Sequence, residues 1–182
     1  MANQSSDPLT NKSAADQEYK KNARTEGHYE QIWQNTGKCV FCDLKDKYIL
    51  LEENDVALTI NLYPYLDGQL MAIPRQHVRS PKELSPTQWE TIRKFAYLAK
   101  KLVKKIYNHQ GLWTLIREGG AEAQMTVTDH LHVQFIPFDQ PDLCQWNYRQ
   151  LENSPLENVS KFEQEADYIK KLLKRFSQKY QK

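Results

Sequence analysis

The sequence predicts an α+β fold, and three observations support it. The chain has 182 residues, a length that suits one compact domain with tails. Short runs rich in Ile, Leu, Val and Thr lie on both sides of a long segment with helical periodicity. A second helical pattern follows near the C-terminus. Strands followed by a helix and then by more strands are typical of an α+β domain.

Five short apolar runs are predicted to form the strands of one sheet, because β-branched and aliphatic side chains suit a pleated, half-buried surface. A turn is predicted between the second and third runs, where Tyr63–Gly68 contains a proline and an Asp-Gly pair. The five runs are Tyr48–Glu52, Val56–Asn61, Gln69–Ile73, Leu112–Arg117 and Leu131–Ile136.

A helix is predicted to begin just after Ser85. This serine can cap the helix, Pro86 suits the first helical position, and Gln88 can close a capping box. Gly111 is a natural stop. Apolar residues recur between these points at steps of three and four, which predicts one stripe packed on the sheet. The stripe consists of Trp89, Ile92, Ala96, Ala99, Val103 and Ile106.

Ser154 and Pro155 predict the start of a second amphipathic helix in the C-terminal region. Its positive charges lie near its C-terminal end, where they suit the helix dipole, so we interpret them as a solvated face. These charges belong to Lys170, Lys171, Lys174 and Arg175. The apolar side consists of Leu156, Val159, Phe162, Ala166, Ile169, Leu173, Phe176 and Tyr180.

The chain is predicted to have three regions. Residues 1–36 form a polar N-terminal tail, in which Ile32 and Trp33 could share one side of a short helix. Residues 37–140 form the α+β domain, and residues 141–182 form an extension that carries the amphipathic helix.

The charge balance excludes some classes of partner. The 25 Lys and Arg residues against 23 Asp and Glu residues give a formal net charge of only +2, which argues against a dedicated nucleic-acid or membrane binder. No apolar run approaches the roughly 18 residues that a bilayer span needs, and the first residues are polar. We therefore expect a soluble, cytoplasmic protein.

Three polar residues alternate in the last predicted strand. Side chains alternate between faces of a sheet, so His130, His132 and Gln134 should project from one face. Two imidazoles and an amide are costly to bury unless they bind something. The alternative is a polar sheet face that is open to water.

The spacing of Cys39 and Cys42 is typical of half of a tetrahedral zinc site. The best candidates for the other half are His77, just after the third predicted strand, and one histidine of the alternating triplet. Four protein ligands would make the site structural rather than catalytic. Two reduced core thiols or a redox dithiol are the alternatives.

If His130 binds the metal, His132 is left as a reactive imidazole on the same face. An imidazole titrates near neutral pH, so its unprotonated form can attack an electrophile such as phosphorus. Gln134 cannot transfer protons at this pH, but its amide can donate to a phosphate oxygen and stabilise developing charge. The sequence thus predicts His132 and Gln134 as catalytic residues.

These motifs together resemble the histidine-triad (HIT) superfamily of nucleotide hydrolases and transferases. The resemblance extends from about Lys38 to Phe138, and the motifs that carry it are Cys39–Cys42, Asn61–Gly68, Ile73–His77 and His130–Gln134. It implies an antiparallel sheet packed by a helix. Because hydrolase members commonly pair, it also implies a homodimer.

The resemblance also assigns roles. In the superfamily the middle residue of the triad, here His132, attacks the α-phosphorus of a nucleotide ester and forms a nucleotidyl-histidine intermediate. At the third position of the triad this chain has Gln134. In this it resembles the branch of galactose-1-phosphate uridylyltransferase and diadenosine tetraphosphate phosphorylase, which carries glutamine there. The zinc ligands of that uridylyltransferase match Cys39, Cys42, His77 and His130, which implies a structural zinc.

Three positions are implied to contact substrate. Asn61 matches a position that contacts the ribose, although it could equally serve the turn. Gln69 stands where many members carry histidine, and Arg117 stands where many carry asparagine and could bind phosphate. The Gly-Gln-Ser segment that usually cradles phosphate is replaced by Gln124–Asp129.

The sequence therefore predicts a zinc-stabilised enzyme that transfers or hydrolyses nucleotidyl groups through His132. Its partner would be a small nucleotide phosphoester or phosphoanhydride, and no redox or organic cofactor is implied. Two alternatives remain open. One is a hydrolase of dinucleoside polyphosphates or nucleoside phosphoramidates, and the other is a nucleotide-binding module with weak or lost catalysis.

Overall fold

The structure is a computed structural model that describes residues 18, 22, 28–119, 127, 129–138 and 152–180. The chain divides into two compact units, residues 1–140 and 141–182. Most of the predicted N-terminal tail and of the Gln124–Asp129 segment lies outside the described residues.

The first unit contains a five-stranded antiparallel sheet, which confirms the predicted α+β class. The strands are β1 (Ile49–Glu53), β2 (Val56–Ile60), β3 (Leu70–Pro74), β4 (Gly111–Ile116) and β5 (Val133–Phe138). The strand order is β1-β2-β3-β5-β4, so the last strand along the chain lies between β3 and β4. This position of β5 brings the polar triplet beside β3.

Two α-helices of this unit are described, α1 (His28–Thr36) and α2 (Pro86–Tyr107). The predicted capping box begins α2: the Ser85 hydroxyl accepts from the Gln88 backbone N–H, and the Gln88 side chain accepts from the Ser85 N–H. The predicted stop was wrong. The helix ends before Asn108, which adopts a left-handed conformation with φ of 61°, and Gly111 begins β4 instead.

The buried face of α2 differs from the predicted stripe. Its buried residues are Thr91, Ile92, Phe95, Ala99 and Val103. Trp89 and Ile106, both predicted to pack on the sheet, are 46% and 64% exposed. The buried face is centred on Phe95, which turns Trp89 to its flank, and Ile106 lies in the last turn beyond Val103.

Both faces of the sheet carry buried apolar clusters. On one face, residues of α2 pack against Leu58, Leu70, Ala72 and Phe135. On the other face, Met71 and Ile73 pack with Cys39, Phe41 and Val127. This second face carries the polar triplet, since Met71 is the register partner of Gln134.

The second unit contains two described helices, α3 (Pro155–Glu163) and α4 (Ala166–Tyr180), where the sequence predicted one. Ser154 caps α3 as predicted. The Glu165 backbone N–H then donates to the Phe162 carbonyl three residues back, a tighter turn that interrupts the helix. Among the described residues, no helix combines the length and the apolar character needed to cross a membrane.

Candidate metal centre and active site

Four side chains that the sequence singled out as metal ligands come together. One ligand atom from each of Cys39, Cys42, His77 and His130 lies within 4.8 Å of all the others. Distant segments supply them. The cysteines lie in a tight turn in which the Cys42 N–H donates to the Cys39 carbonyl; His77 follows β3, and His130 precedes β5.

The distances between the candidate ligand atoms suit tetrahedral coordination of a metal ion. The Cys42 Sγ lies 3.1 Å from the His77 Nδ1, and the His130 Nδ1 lies 3.5 Å from the Sγ of both Cys39 and Cys42. Metal–ligand bonds of about 2.0–2.3 Å at tetrahedral angles separate ligand atoms by roughly 3.3–3.8 Å. These four residues therefore form a site that could hold a metal ion.

The protonation of His130 also suits a ligand. Its Nε2 lies 2.8 Å from the Pro74 carbonyl, which can only accept, so Nε2 carries the proton and the Nδ1 lone pair faces the thiols. Burial, with smaller effects from His77 and His132, lowers the pKa of His130 to about 4. The ring is therefore neutral at pH 7.

Unlike His130, Cys42 must lose a proton before it can bind a metal ion. Burial, together with the charge and hydrogen bond of Cys39, raises its pKa to about 11. A metal ion binds the thiolate and so must displace this proton, which makes metal affinity fall as the pH falls.

His132 lies beside this centre but makes different contacts. Its Nδ1 lies 3.0 Å from the His130 carbonyl, so Nδ1 carries the proton and Nε2 is bare. The Gln134 Nε2 lies 3.3 Å from this bare nitrogen. Burial and then the charge of Arg117 lower the pKa of His132, which keeps the ring neutral near pH 7.

Strand β5 begins at Val133, so His130 and His132 lie just before the strand and only Gln134 lies within it. Their face is not open to water, because His130, His132 and Gln134 are 0%, 6% and 7% exposed. All three nevertheless have hydrogen-bond partners, which offsets the cost of burying them.

Phe41, between the two cysteines, was not predicted as a site residue. Its ring centroid lies 4.9 Å from that of His132 and 5.8 Å from that of His130. Phe41 also lines a largely apolar cavity of about 200 Å³, together with Ile32, Val40, Leu44, Ile60 and Leu62. The sequence signal was an aromatic residue inside the C-x-x-C motif, but only the fold shows which way it faces.

The three predicted substrate contacts lie in different settings. Arg117 directly follows β4, its charge contributes to the lowered pKa of His132, and its Nη2 donates to the Tyr65 hydroxyl over 3.2 Å. Gln69 is 2% exposed and donates to Gln134. The Asn61 side chain accepts from the Tyr63 N–H and so stabilises the turn after β2.

Comparison with solved structures supports the fold. A HIT family protein from Bacillus anthracis str. 'Ames Ancestor' superposes with a TM-score of 0.59 at 21% identity, over 72% of this chain and 96% of that one. A histidine triad nucleotide-binding protein from Candida albicans gives 0.60 at 19% identity, over 75% and 99%. At these identities the likeness concerns the fold alone.

Sequence comparison gives the family. Two AP-4-A phosphorylases, from Mycobacterium tuberculosis strains CDC 1551 / Oshkosh and ATCC 25618 / H37Rv, are each 28% identical over 82 residues. The match covers 45% of this chain and only 42% of either relative. The model of the family described as "Scavenger mRNA decapping enzyme C-term binding" matches residues 38–169, well over half of the chain. The chain therefore belongs to this scavenger decapping enzyme C-terminal family, and its fold is similar to those of the two histidine-triad structures.

Proposed function

We propose that this nucleotide-processing enzyme transfers nucleotidyl groups from a phosphoanhydride to an acceptor through a covalent intermediate on His132. Zinc bound by the four ligand residues would be structural. It would tie the Cys39–Cys42 turn to the segments after β3 and before β5. No step of the reaction passes through the metal.

One observation carries the proposal: His132 is a buried, neutral imidazole whose bare Nε2 is held beside an amide donor. A nucleophile needs an available lone pair, and the carbonyl of His130 provides it by holding the only ring proton on Nδ1. That same carbonyl then stabilises the positive ring that forms when Nε2 bonds to phosphorus.

The apolar cavity supplies the place for the nucleoside. It shares Phe41 with the surroundings of His132, which supports a base bound in the cavity with its α-phosphate directed toward Nε2. Flat apolar walls suit a purine or pyrimidine ring, which gains from burial and from contact with an aromatic side chain. Arg117 directly follows β4, its charge acts on the His132 ring, and its guanidinium could bind phosphate oxygens.

Gln134 favours a phosphoanhydride over a phosphoramidate. An amide donates hydrogen bonds but holds no exchangeable acid proton for a leaving group at neutral pH. A phosphate leaving group departs as an anion without a proton, whereas an amine or alkoxide needs one. The names of the M. tuberculosis relatives make AP-4-A and inorganic phosphate the first substrate pair to test.

We expect labelled diadenosine tetraphosphate to be consumed faster when inorganic phosphate or a sugar phosphate is present, with the acceptor found in the product. A matched adenosine phosphoramidate should react at least about 10-fold more slowly, because no acid serves its leaving group. Chromatography of the products measures both. Consumption that does not depend on the acceptor would instead identify a hydrolase.

The lowered pKa of His132 gives a testable pH dependence. Because its neutral form predominates above a pKa that lies below the usual 6.5, nucleotidylation should be flat from about pH 8 to about pH 6.5 and should fall only in more acidic buffer. Single-turnover rates measure this, with zinc content followed at each pH to separate metal loss. A rate that halves above pH 6.5 with zinc retained would contradict it.

A further inference from the structure

A chain of side-chain amides leads from the β2–β3 turn to His132. The buried Gln69 accepts from the Tyr65 backbone N–H at its Oε1 over 2.7 Å, and its Nε2 donates to the Gln134 Oε1 over 3.1 Å. The Gln134 Nε2 in turn lies 3.3 Å from the His132 Nε2. Gly68, with φ of 83°, makes the turn that directs Gln69 inwards.

Backbone groups fix the direction of this chain at both ends. The Tyr65 N–H can only donate, so the Gln69 oxygen must face it and the Gln69 amine must face Gln134. The His130 carbonyl can only accept, so His132 must present a bare Nε2 at the other end. The Gln134 amide therefore has one satisfied orientation, with its amine toward His132.

We propose that Gln69 is a positioning residue that acts through Gln134. It holds the side-chain –NH2 group of Gln134 next to Nε2 of His132, the reactive nitrogen. Without the donor from Gln69, the Gln134 amide loses the contact that sets its orientation. A reversed amide would place its oxygen against the His132 lone pair, which is repulsive. The kinetic part of this proposal rests on the proposed function.

The consequence for the reaction follows from the same contacts. As the Nε2 lone pair bonds to the α-phosphorus, the bond from phosphorus to the leaving oxygen breaks and its electron pair departs with the leaving group. The proton on Nδ1 stays in place. The Gln134 amine, which loses its contact with the lone pair, is then beside the phosphoryl oxygens and can donate to them.

A double-mutant cycle tests the proposal. Gln69→Met keeps the length of the side chain but removes both its donor and its acceptor. We expect it to lower kcat for nucleotidylation about 10- to 100-fold and to change KM less than about 3-fold. In a Gln134→Met background, Gln69→Met should have no further effect, because its only route to His132 is gone. Leu70→Met, a neighbouring buried substitution, controls for altered packing.

Three results would overturn the proposal: an unchanged kcat in folded Gln69→Met, losses that simply add in the double variant, or an equal loss in Leu70→Met. Gln69→His, which restores a separate donor and acceptor, should recover part of kcat.

A measurement without substrate separates this proposal from the proposed function. Isotope-labelled histidine nitrogen spectra of the zinc-loaded protein should show His132 with its proton on Nδ1, and Gln69→Met should shift the Nε2 resonance while Leu70→Met should not. If wild-type protein forms no adduct, the proposed function fails, and this spectrum alone decides the role of Gln69. An Nε2 resonance that Gln69→Met leaves unchanged would refute it.

Discussion

The variant His132→Ala is expected to lose covalent nucleotidylation while keeping its metal. Removing the attacking nitrogen should lower the single-turnover rate at least about 10⁴-fold, the scale seen when a nucleophile is deleted from a preorganised site. The metal should remain, because the four candidate ligand residues do not include His132. Mass spectrometry of protein trapped with substrate, combined with zinc analysis, measures both outcomes.

A suitable control is His109→Ala, since this histidine follows α2 and stacks on Tyr107. It should form the adduct at the wild-type rate. If wild-type protein turns over substrate and His132→Ala does so equally fast, His132 is not the nucleophile. The alternative of a binding module that kept its zinc would then be favoured.

The second large effect concerns the metal centre. Freshly purified protein is expected to contain one zinc per chain, and His130→Ala is expected to lose both the zinc and much of the stability. His130 is fully buried and bonds to the Pro74 carbonyl, so its removal leaves a cavity and an unpaired acceptor in addition to an incomplete site. We expect the free energy of unfolding to fall by roughly 3–5 kcal/mol beyond the loss of metal binding.

His77→Ala is the matched variant, because His77 is an exposed member of the same ligand set. It should weaken zinc binding with little further loss of stability. Elemental analysis and denaturant unfolding, each with and without a chelator, separate the two contributions. An absence of zinc from wild-type protein, or equal stability of metal-free wild type and His130→Ala, would contradict this account.

Much of the fold was predictable because its signals are local. Alternating or apolar runs and a capping box depend on neighbours along the chain, and all five strands and the start of α2 were found from them. The errors arose where packing decides. The exposure of Trp89 and Ile106 depends on which face of α2 packs against the sheet. The interruption between α3 and α4 depends on the turn that the Glu165 N–H closes with the Phe162 carbonyl.

The proposed metal ligands could also be predicted from the sequence, because cysteines and histidines at such spacings are typical of metal sites. Cys39 and Cys42 defined half of a site, and the superfamily resemblance supplied His77 and His130. The resemblance placed Gln69 among the substrate contacts, and this stays a prediction; the fold adds that Gln69 is buried and donates to Gln134, the contact on which our positioning proposal rests. The position of Phe41 inside the C-x-x-C motif was visible in the sequence, but its contact with the histidine rings and the cavity that it lines were not, since an apolar residue suits any core.

The chemical identity of the groups was thus determined by the sequence: two thiols, two neighbouring imidazoles and an amide in a superfamily order. Their state was decided only by the tertiary structure. The carbonyls of Pro74 and His130 decide which nitrogen of each histidine bears the proton. The Tyr65 N–H, acting through Gln69, decides which side of the Gln134 amide faces His132. Burial keeps both rings neutral. The physical reason is that protonation follows from surroundings, and folding brings those surroundings from segments far apart in the chain.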